Sequence, residues 1–349
     1  MIKLGLIARA DNSGLGVQTL EFHRHMRPAK TLVINVGHLY NSTTHANKAT
    51  YLDRYPGAMV YNDWSPNVQV LVEFLDGLDA VFTAETWYSD QFVQLARRMG
   101  VHTVQQYNFE FLQHLNNPHL DRPDVFAAPS MWRWDDVPFP NKTFLPVPIA
   151  TDRFTPRASD PGPRHFVHIV GRPAIYDRNG TPDLLAALHH VHSEIRLTLR
   201  CQDRDYLRRL AVSTNVPGNV ELRVDSSDVR DYWELYDRGD VLIMPRRYGG
   251  LCLPANEALG AGMPVIMTNI DPNNTWLPPE WLVPAHLSAE FMAFNRVDVF
   301  AANHVALGAK IDEFCERDFY ATAKARADEL AKEYSWDQLK PEYERVLTA

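Results

Sequence analysis

Short apolar segments alternating with helical ones, along most of the chain, constrain this sequence more than any other feature. KLGLIAR, TLVINV, AMVYN, DAVFTA, HTVQQY and DVFAAPS read as buried strands, separated by helical segments such as VQTLEFHRHM, NVQVLVEFLDGL and SDQFVQLARRMG. A second series follows: HFVHIVG, LTLRC, VELRV, DVLIMP and PVIMT, with helices PDLLAALHHV, DRDYLRRLAV, VRDYWELYDRG and PANEALGAG. A helix between strands supplies the long crossover that parallel pairing needs, so each series predicts a parallel sheet flanked by helices. At 349 residues the chain also exceeds the length over which a single core keeps growing. Between the two series, FLPVPIATDRFTPRASDPGPRH holds five prolines in 22 residues and no amphipathic period, which marks a linker. The expected division is 1–148, a linker over 149–164, a second lobe over 165–325 and terminal helices over 326–349.

Residues 244–269, MPRRYGGLCLPANEALGAGMPVIMTN, carry the most chemistry. They read as a strand end, a turn at Gly249 and Gly250, a helix entered through Pro254, a stop at Gly260 or Gly262, and a new strand. Proline is tolerated in a first helical turn, where its missing N–H has no partner to lose. Glycines just before such a start let the amides of Gly249, Gly250 and Leu251 approach a ligand, and the positive end of the helix dipole favours an anion such as a diphosphate. Glu257 is expected in the first turn of that helix, where a carboxylate could accept hydrogen bonds from a ribose diol. Gly14 and Gly16, in ADNSGLGVQTL, repeat the strand–glycine–helix arrangement near the N-terminus. Their amides could approach a diphosphate or an acceptor, or could simply form a tight turn.

This segment resembles the signature of retaining glycosyltransferases with two Rossmann-like lobes, the GT-B fold, and in particular glycosyltransferase family 4 (group 1). Pro245, Gly250, Leu253, Pro254, Glu257, Ala258, Gly262, Pro264 and Val265 stand in register with it. PVPIATDRFTPR is similar to the family's connector between lobes, through Asp152, Phe154 and Pro156. FVHIVGRPAIYDRNGTPDLLAAL resembles the unit that opens the donor-binding lobe, and VELRVDSSDVRDYWELYDRGDVLIMP the part that frames the nucleotide base, with Val224 at the strand end. ELAKEYSWDQLKPEYERVL is similar to the C-terminal helices that cross back onto the first lobe.

The resemblance implies transfer of a sugar from a nucleotide-diphospho-sugar to an acceptor hydroxyl, with the donor as substrate and no separate cofactor. Breaking the anomeric bond builds negative charge on the departing diphosphate, which basic side chains and backbone dipoles would meet in place of a metal. Arg172 matches the arginine of the family's G-R motif. The lysine that follows in the family is replaced by Asn179, so the neighbouring Arg178 would supply that charge. Glu257 matches the ribose-binding glutamate, while Gly249 stands where the family keeps an acid that contacts sugar hydroxyls. No acidic residue lies between Asp240 and Glu257 to take its place. Three readings stay open there: a donor sugar with different hydroxyl placement, a compensating acid elsewhere, or a lobe that no longer transfers sugars. For the acceptor, Asp11 and Glu110 could orient or deprotonate a hydroxyl, and Trp64, Trp87, Tyr88, Trp132 and Trp134 could stack on a sugar or base.

Composition narrows the remaining choices. No run of 18 apolar residues suggests a membrane span, and the first residues, MIKLGLIARA, read as a strand and not as a signal peptide. Cys201, Cys252 and Cys315 are widely spaced, which fits reduced thiols in the cytoplasm and gives no metal-ligand spacing. A net charge of −8 weighs against a broad nucleic-acid surface. The acceptor is left open among a glycan, a protein, a small molecule and a modified DNA base; a non-catalytic nucleotide-binding descendant is the competing class.

Overall fold

The computed structural model describes residues 2–39, 50–155, 164–171, 173, 175–210 and 216–349. Its contacts divide the chain into Met1–Pro148 with Trp336–Ala349, and Ile149–Ser335.

The first unit is built from β1 (Leu4–Ala8), α1 (Gly14–Met26), β2 (Lys30–Ile34), β3 (Met59–Tyr61), α2 (Val68–Leu75), β4 (Ala80–Ala84), α3 (Phe92–Arg98), β5 (His102–Gln106), β6 (Val125–Ala128) and β7 (Lys142–Phe144). The strands form one sheet in the order β3-β2-β1-β4-β5-β6-β7, with every neighbouring pair parallel. β1 and β4 are buried at every residue, as strands covered on both faces must be. The order reverses between β1 and β4, so the loops that follow these two strands border the switch point where doubly wound sheets bind ligands.

The second unit contains β8 (Arg164–Ile169), α4 (Thr181–Ala187), β9 (Ile195–Arg200), α5 (Arg204–Arg209), β10 (Val220–Asp225), β11 (Val241–Met244), α6 (Leu253–Gly260), β12 (Val265–Thr268), α7 (Asn273–Trp276), β13 (Leu282–Val283), β14 (Ala285–Met292), β15 (Arg296–Ala302), α8 (His304–Cys315) and α9 (Arg317–Glu333). β10-β9-β8-β11-β12-β13 is again wholly parallel, with its switch point between β8 and β11. β14 and β15 form a separate antiparallel hairpin. A fully buried histidine, His168, pins the middle of this sheet. Its Nδ1 lies 2.7 Å from the Ile243 carbonyl, which can only accept, so Nδ1 carries the proton and Nε2 accepts from the Thr181 hydroxyl at 2.9 Å. Burial lowers its pKa to about 4.

Three boundaries differ from the sequence reading. The linker was expected to begin at residue 149, yet Ile149 is buried in the second unit's core and its N–H donates to the Tyr334 carbonyl at 2.7 Å. The C-terminal helices were expected to leave the second lobe at 326, but α9 stays in its core through Ala327 and Leu330. Only α10 (Trp336–Leu347) joins the first unit, where Trp336 and Tyr343 pack around Phe22, itself stacked on Phe82 at 4.3 Å. VRDYWELYDRG, read as a helix, forms only a 3-10 segment over Tyr232–Tyr236.

Candidate functional site

At the second unit's switch point the loops after β8 and β11 are laced together. Gly180 has a φ of +73°, and a Cβ there would come within 2.0 Å of the Pro245 carbonyl oxygen, so only glycine lets the two backbones approach this closely. The Arg247 N–H donates to the Arg178 carbonyl at 2.8 Å. Asn179 turns inward, its amide donating to the Ile169 and Val170 carbonyls at 3.1 and 3.0 Å, and so ties the loop to the end of β8. Tyr176 and Asp177 are held at φ of +55° and +49°, conformations that non-glycine residues keep only when their surroundings impose them. Arg172 lies outside the described residues.

The turn after β11 gathers cationic groups around a residue without a side chain. Gly249 has a φ of +107°, and the position its Cβ would take lies 2.7 Å from Nη2 of Arg178 and 2.7 Å from Nη2 of Arg246. Arg246 is only 4% exposed; its Nε donates to the Tyr248 carbonyl at 2.9 Å and its own carbonyl accepts from the Thr268 hydroxyl. Arg178 also stands 5.1 Å from the centre of the Tyr248 ring, which meets Phe291 of the hairpin edge-on at 5.0 Å. Arg247 serves the framework: its guanidinium donates to the Phe300 and Tyr176 carbonyls and lies 3.6 Å from the Asp183 carboxylate. Thus the hairpin, the β8 loop and α4 are clamped by one side chain.

α6 begins at Leu253, with Pro254 in its first turn and Cys252 at the cap, which offers no side-chain hydrogen bond to the helix. Glu257 is therefore the fifth residue of α6 and not a first-turn residue, because the helix starts only after the glycine turn is complete. Its carboxylate accepts a hydrogen bond from the Tyr236 hydroxyl at 2.5 Å. Burial first, and then the Glu257 charge, raise the Tyr236 pKa well above the usual phenol value, so the hydroxyl keeps its proton and donates. Gly250 and Leu251 are partly exposed beside the buried Gly249. Val224 lies on the edge strand β10, 44% exposed, next to Asp225, which is ion-paired with Arg200 at 2.7 Å.

The first unit's switch point is arranged differently. Asp11 is 2% exposed, ion-paired with Arg9, and accepts from the Ser13 N–H at 3.0 Å and the Ser13 hydroxyl. The Ser13 Oγ in turn caps the Gly16 N–H at 3.1 Å. A Cβ on Gly16 would fall 1.9 Å from the Asp11 carbonyl oxygen, so this glycine serves the approach of the chain to itself. Asp11, expected to orient or deprotonate an acceptor, is thus held by Arg9 and Ser13 at the end of β1. Glu110 is also buried. Of the rings, Trp87 packs face-on against Phe92 at 4.6 Å, whereas Trp64 is 42% exposed with the Arg9 guanidinium 5.4 Å from its centre. After β4, Glu85 and Tyr88 have φ of +79° and +60°, and Glu85 accepts from the Asn108 amide at 2.6 Å.

Residues 164–293 match the family model of glycosyl transferases group 1. The matched residues all lie within the second unit. The chain is accordingly a glycosyltransferase in class, and its two parallel-sheet α/β units are those of the GT-B fold. This glycosyltransferase is similar in structure to sucrose-phosphate synthase from Thermosynechococcus elongatus, with 14% identity and a TM-score of 0.66 over 98% of this chain and 97% of the other. It is similar as well to a glycosyltransferase from Rickettsia africae, at 14% identity and TM-score 0.65 over 99% and 98% of the two chains. Anabaena HepE, solved with UDP and glucose, aligns over 100% of both chains at 11% identity and TM-score 0.65. No curated protein sequence matches it.

Within the glycosyltransferase domain the structure brings Arg178 to Gly249 and places α6 directly after that turn. It sets Glu257 against Tyr236. Sequence reasoning named Arg246 and Arg247 as able to add charge or to face solvent, and missed Tyr236. The structure buries Arg246 and uses Arg247 as a clamp, while Tyr236 lies in a segment whose helical reading gave no reason to single it out. Among the described residues no three His, Cys, Asp or Glu side chains gather to hold a metal ion, and no helix is long and apolar enough to cross a membrane.

Proposed function

We propose that the second unit binds a nucleotide-diphospho-sugar and that the enzyme transfers the sugar to an acceptor hydroxyl with retention of anomeric configuration and without a metal ion. The observation that carries this reading is the convergence, at one switch point, of the Arg178 guanidinium, the Gly249–Leu251 turn and the start of α6. Guanidinium and amide donors preorganised around a site stabilise the charge that a departing diphosphate develops, with no reorganisation at the moment of reaction. Glu257, oriented by Tyr236, supplies the acceptor oxygens for the ribose hydroxyls. Arg172 shares the diphosphate with Arg178 in this reading. In the reaction the anomeric C–O bond to the diphosphate breaks and a bond to the acceptor oxygen forms on the same face. The acceptor's proton passes to the departing phosphate oxygen.

A thermal-shift and calorimetric screen of UDP, ADP, GDP and dTDP and their sugars tests the binding step, because a ligand that binds only the native state raises its apparent stability. UDP is the first choice, given the ligand of Anabaena HepE. Turnover of the donor in the presence of chelator, and the anomeric coupling constant of the product by NMR, test metal independence and retention. Nucleotide binding with neither transfer nor hydrolysis, across a panel of acceptor alcohols, would reassign the chain to a non-catalytic nucleotide-binding role.

A further inference from the structure

We infer that Tyr176 and Phe291 form an aromatic shelf for the donor's sugar, a hexopyranose whose C–H face lies against the Tyr176 ring. This rests on the donor-binding reading above and concerns the sugar end of the same site. Tyr176 stands two residues before Arg178, with its backbone at a φ of +55° and its carbonyl accepting from Nη1 of Arg247 at 3.0 Å. Strain of this kind gathers at ligand sites. The Tyr176 ring is 44% exposed and lies 5.8 Å from the Phe291 ring, at an interplanar angle of 31°. Phe291 in turn meets Tyr248 edge-on at 5.0 Å, and Tyr248 is the residue before Gly249. From the buried Tyr248 through the half-buried Phe291 to the exposed Tyr176, the three rings run from the diphosphate turn out to solvent.

The hairpin that supplies Phe291 is fastened to the same turn. Residues opposite each other in a ladder share a face, so Ala289 and Phe291 of β14 lie on the side of Val299 and Val297 of β15, both of which are buried. Met292 points the other way, to solvent. The Phe300 N–H donates to the Arg247 carbonyl at 2.9 Å, while the Arg247 guanidinium returns to the Phe300 carbonyl and reaches the Ser288 hydroxyl at 3.4 Å. The residue two before Gly249 therefore carries the hairpin, and Phe291 moves only with the turn. Two aromatic sets lead away from this site. Tyr236, which holds Glu257, packs on Phe154 at 6.0 Å, whereas Tyr248 leads to Phe291 and Tyr176. With the ribose at Glu257 and the diphosphate at the turn, the second set falls to the sugar. A pyranose laid face-on against a ring withdraws apolar area of both from water and leaves its hydroxyls free at the rim.

The test measures, on the full chain, the dissociation constants of UDP, UDP-glucose and UDP-galactose, and of GDP and GDP-mannose, for the wild type, Tyr176→Asn and Tyr176→Phe. Asparagine tolerates the left-handed backbone, so the first variant removes the ring alone. Tyr176→Asn should weaken the nucleotide-sugars about fivefold, the scale of one ring stack, and leave the bare nucleoside diphosphates within about twofold. Tyr176→Phe, which keeps the ring face, should match the wild type. In saturation-transfer NMR, irradiation of the aromatic protons should mark the C–H protons of the sugar, and Tyr176→Asn should lose much of that signal. If neither UDP nor GDP binds, and ADP and dTDP also fail, the donor reading falls and this inference with it. If a nucleoside diphosphate binds but no nucleotide-sugar does, or Tyr176→Asn leaves the nucleotide-sugars within about twofold, the inference alone is overturned. The same holds if Tyr176→Asn weakens the bare diphosphate in step, since the ring would then serve the nucleotide, or if Tyr176→Phe loses as much as Tyr176→Asn, since the hydroxyl would then be the contact. Tyr176 lies in a surface loop, so these variants leave the core of the unit intact.

Discussion

Both units gather charged side chains at the same topological point, after the first strand and after the strand where the order reverses, yet they arrange them differently. In the first unit an acid and a base, Asp11 and Arg9, meet each other, and Ser13 and Gly16 close the turn beside them. In the second unit two bases, Arg178 and Arg246, meet at a residue with no side chain. One switch point sets opposite charges against each other; the other brings like charges together. The same sheet topology can therefore carry quite different side-chain arrangements at its switch point.

The comparison breaks most visibly at Asp11. Replacing Asp11 with Ala leaves the Arg9 charge buried without its carboxylate, and chemical denaturation should show a loss of about 4 kcal/mol, with nucleotide affinity of the surviving folded fraction unchanged. A loss under about 1 kcal/mol would mean that the first unit's pair is not the internal closure described here. The matching cut in the second unit is Gly180→Ala, which forces a Cβ against the Pro245 carbonyl at a positive φ. It should cost about 3 kcal/mol and weaken nucleoside diphosphate binding together with stability, since the two loops carry the site between them.

His168 sharpens the contrast through pH. Its pKa is lowered to about 4 in the folded protein from 6.5, so between these values the unfolded chain binds a proton that the native state refuses. Stability from this residue is therefore present above pH 6.5 and is lost as the pH falls towards 4, by on the order of 3 kcal/mol at the end of that range. His168→Gln should flatten that part of the stability profile, and an unchanged slope would remove His168 as its cause. The smallest effect is expected from Tyr236→Phe. It removes one donor from the Glu257 carboxylate, and the dissociation constant for nucleoside diphosphate should rise about tenfold, the scale of a hydrogen bond to a charged group.

Much of the fold was legible because buried parallel strands are continuous apolar runs: eleven of them, from KLGLIAR to PVIMT, fall on strands of the two sheets. What escaped the reading was short or half-exposed. β7 and β13 have three and two residues, too few to show a period, and β14 alternates only between partly and fully exposed positions. The GT-B architecture and the importance of the turn at 249–254 were readable from residue order. The state of Arg246 was not, because nothing in MPRRYGG tells which arginine is drawn inward; that depends on Tyr248 and Thr268 offering partners across the fold. Asn179 escaped for the same reason. In register with a cation it looks like a lost binding residue, whereas its amide joins two carbonyls at the end of β8.

The contact between Gly180 and Pro245 has a kinetic meaning. Where two backbones touch with no room for a methyl group, neither loop can shift there without the other, so their relative position is settled during folding. A donor reaching this spot meets donors already aimed, and the ordering that would otherwise slow and weaken its capture has been completed beforehand. Association should then be governed by encounter and by the attraction of arginines for an anion, and should slow as salt is added.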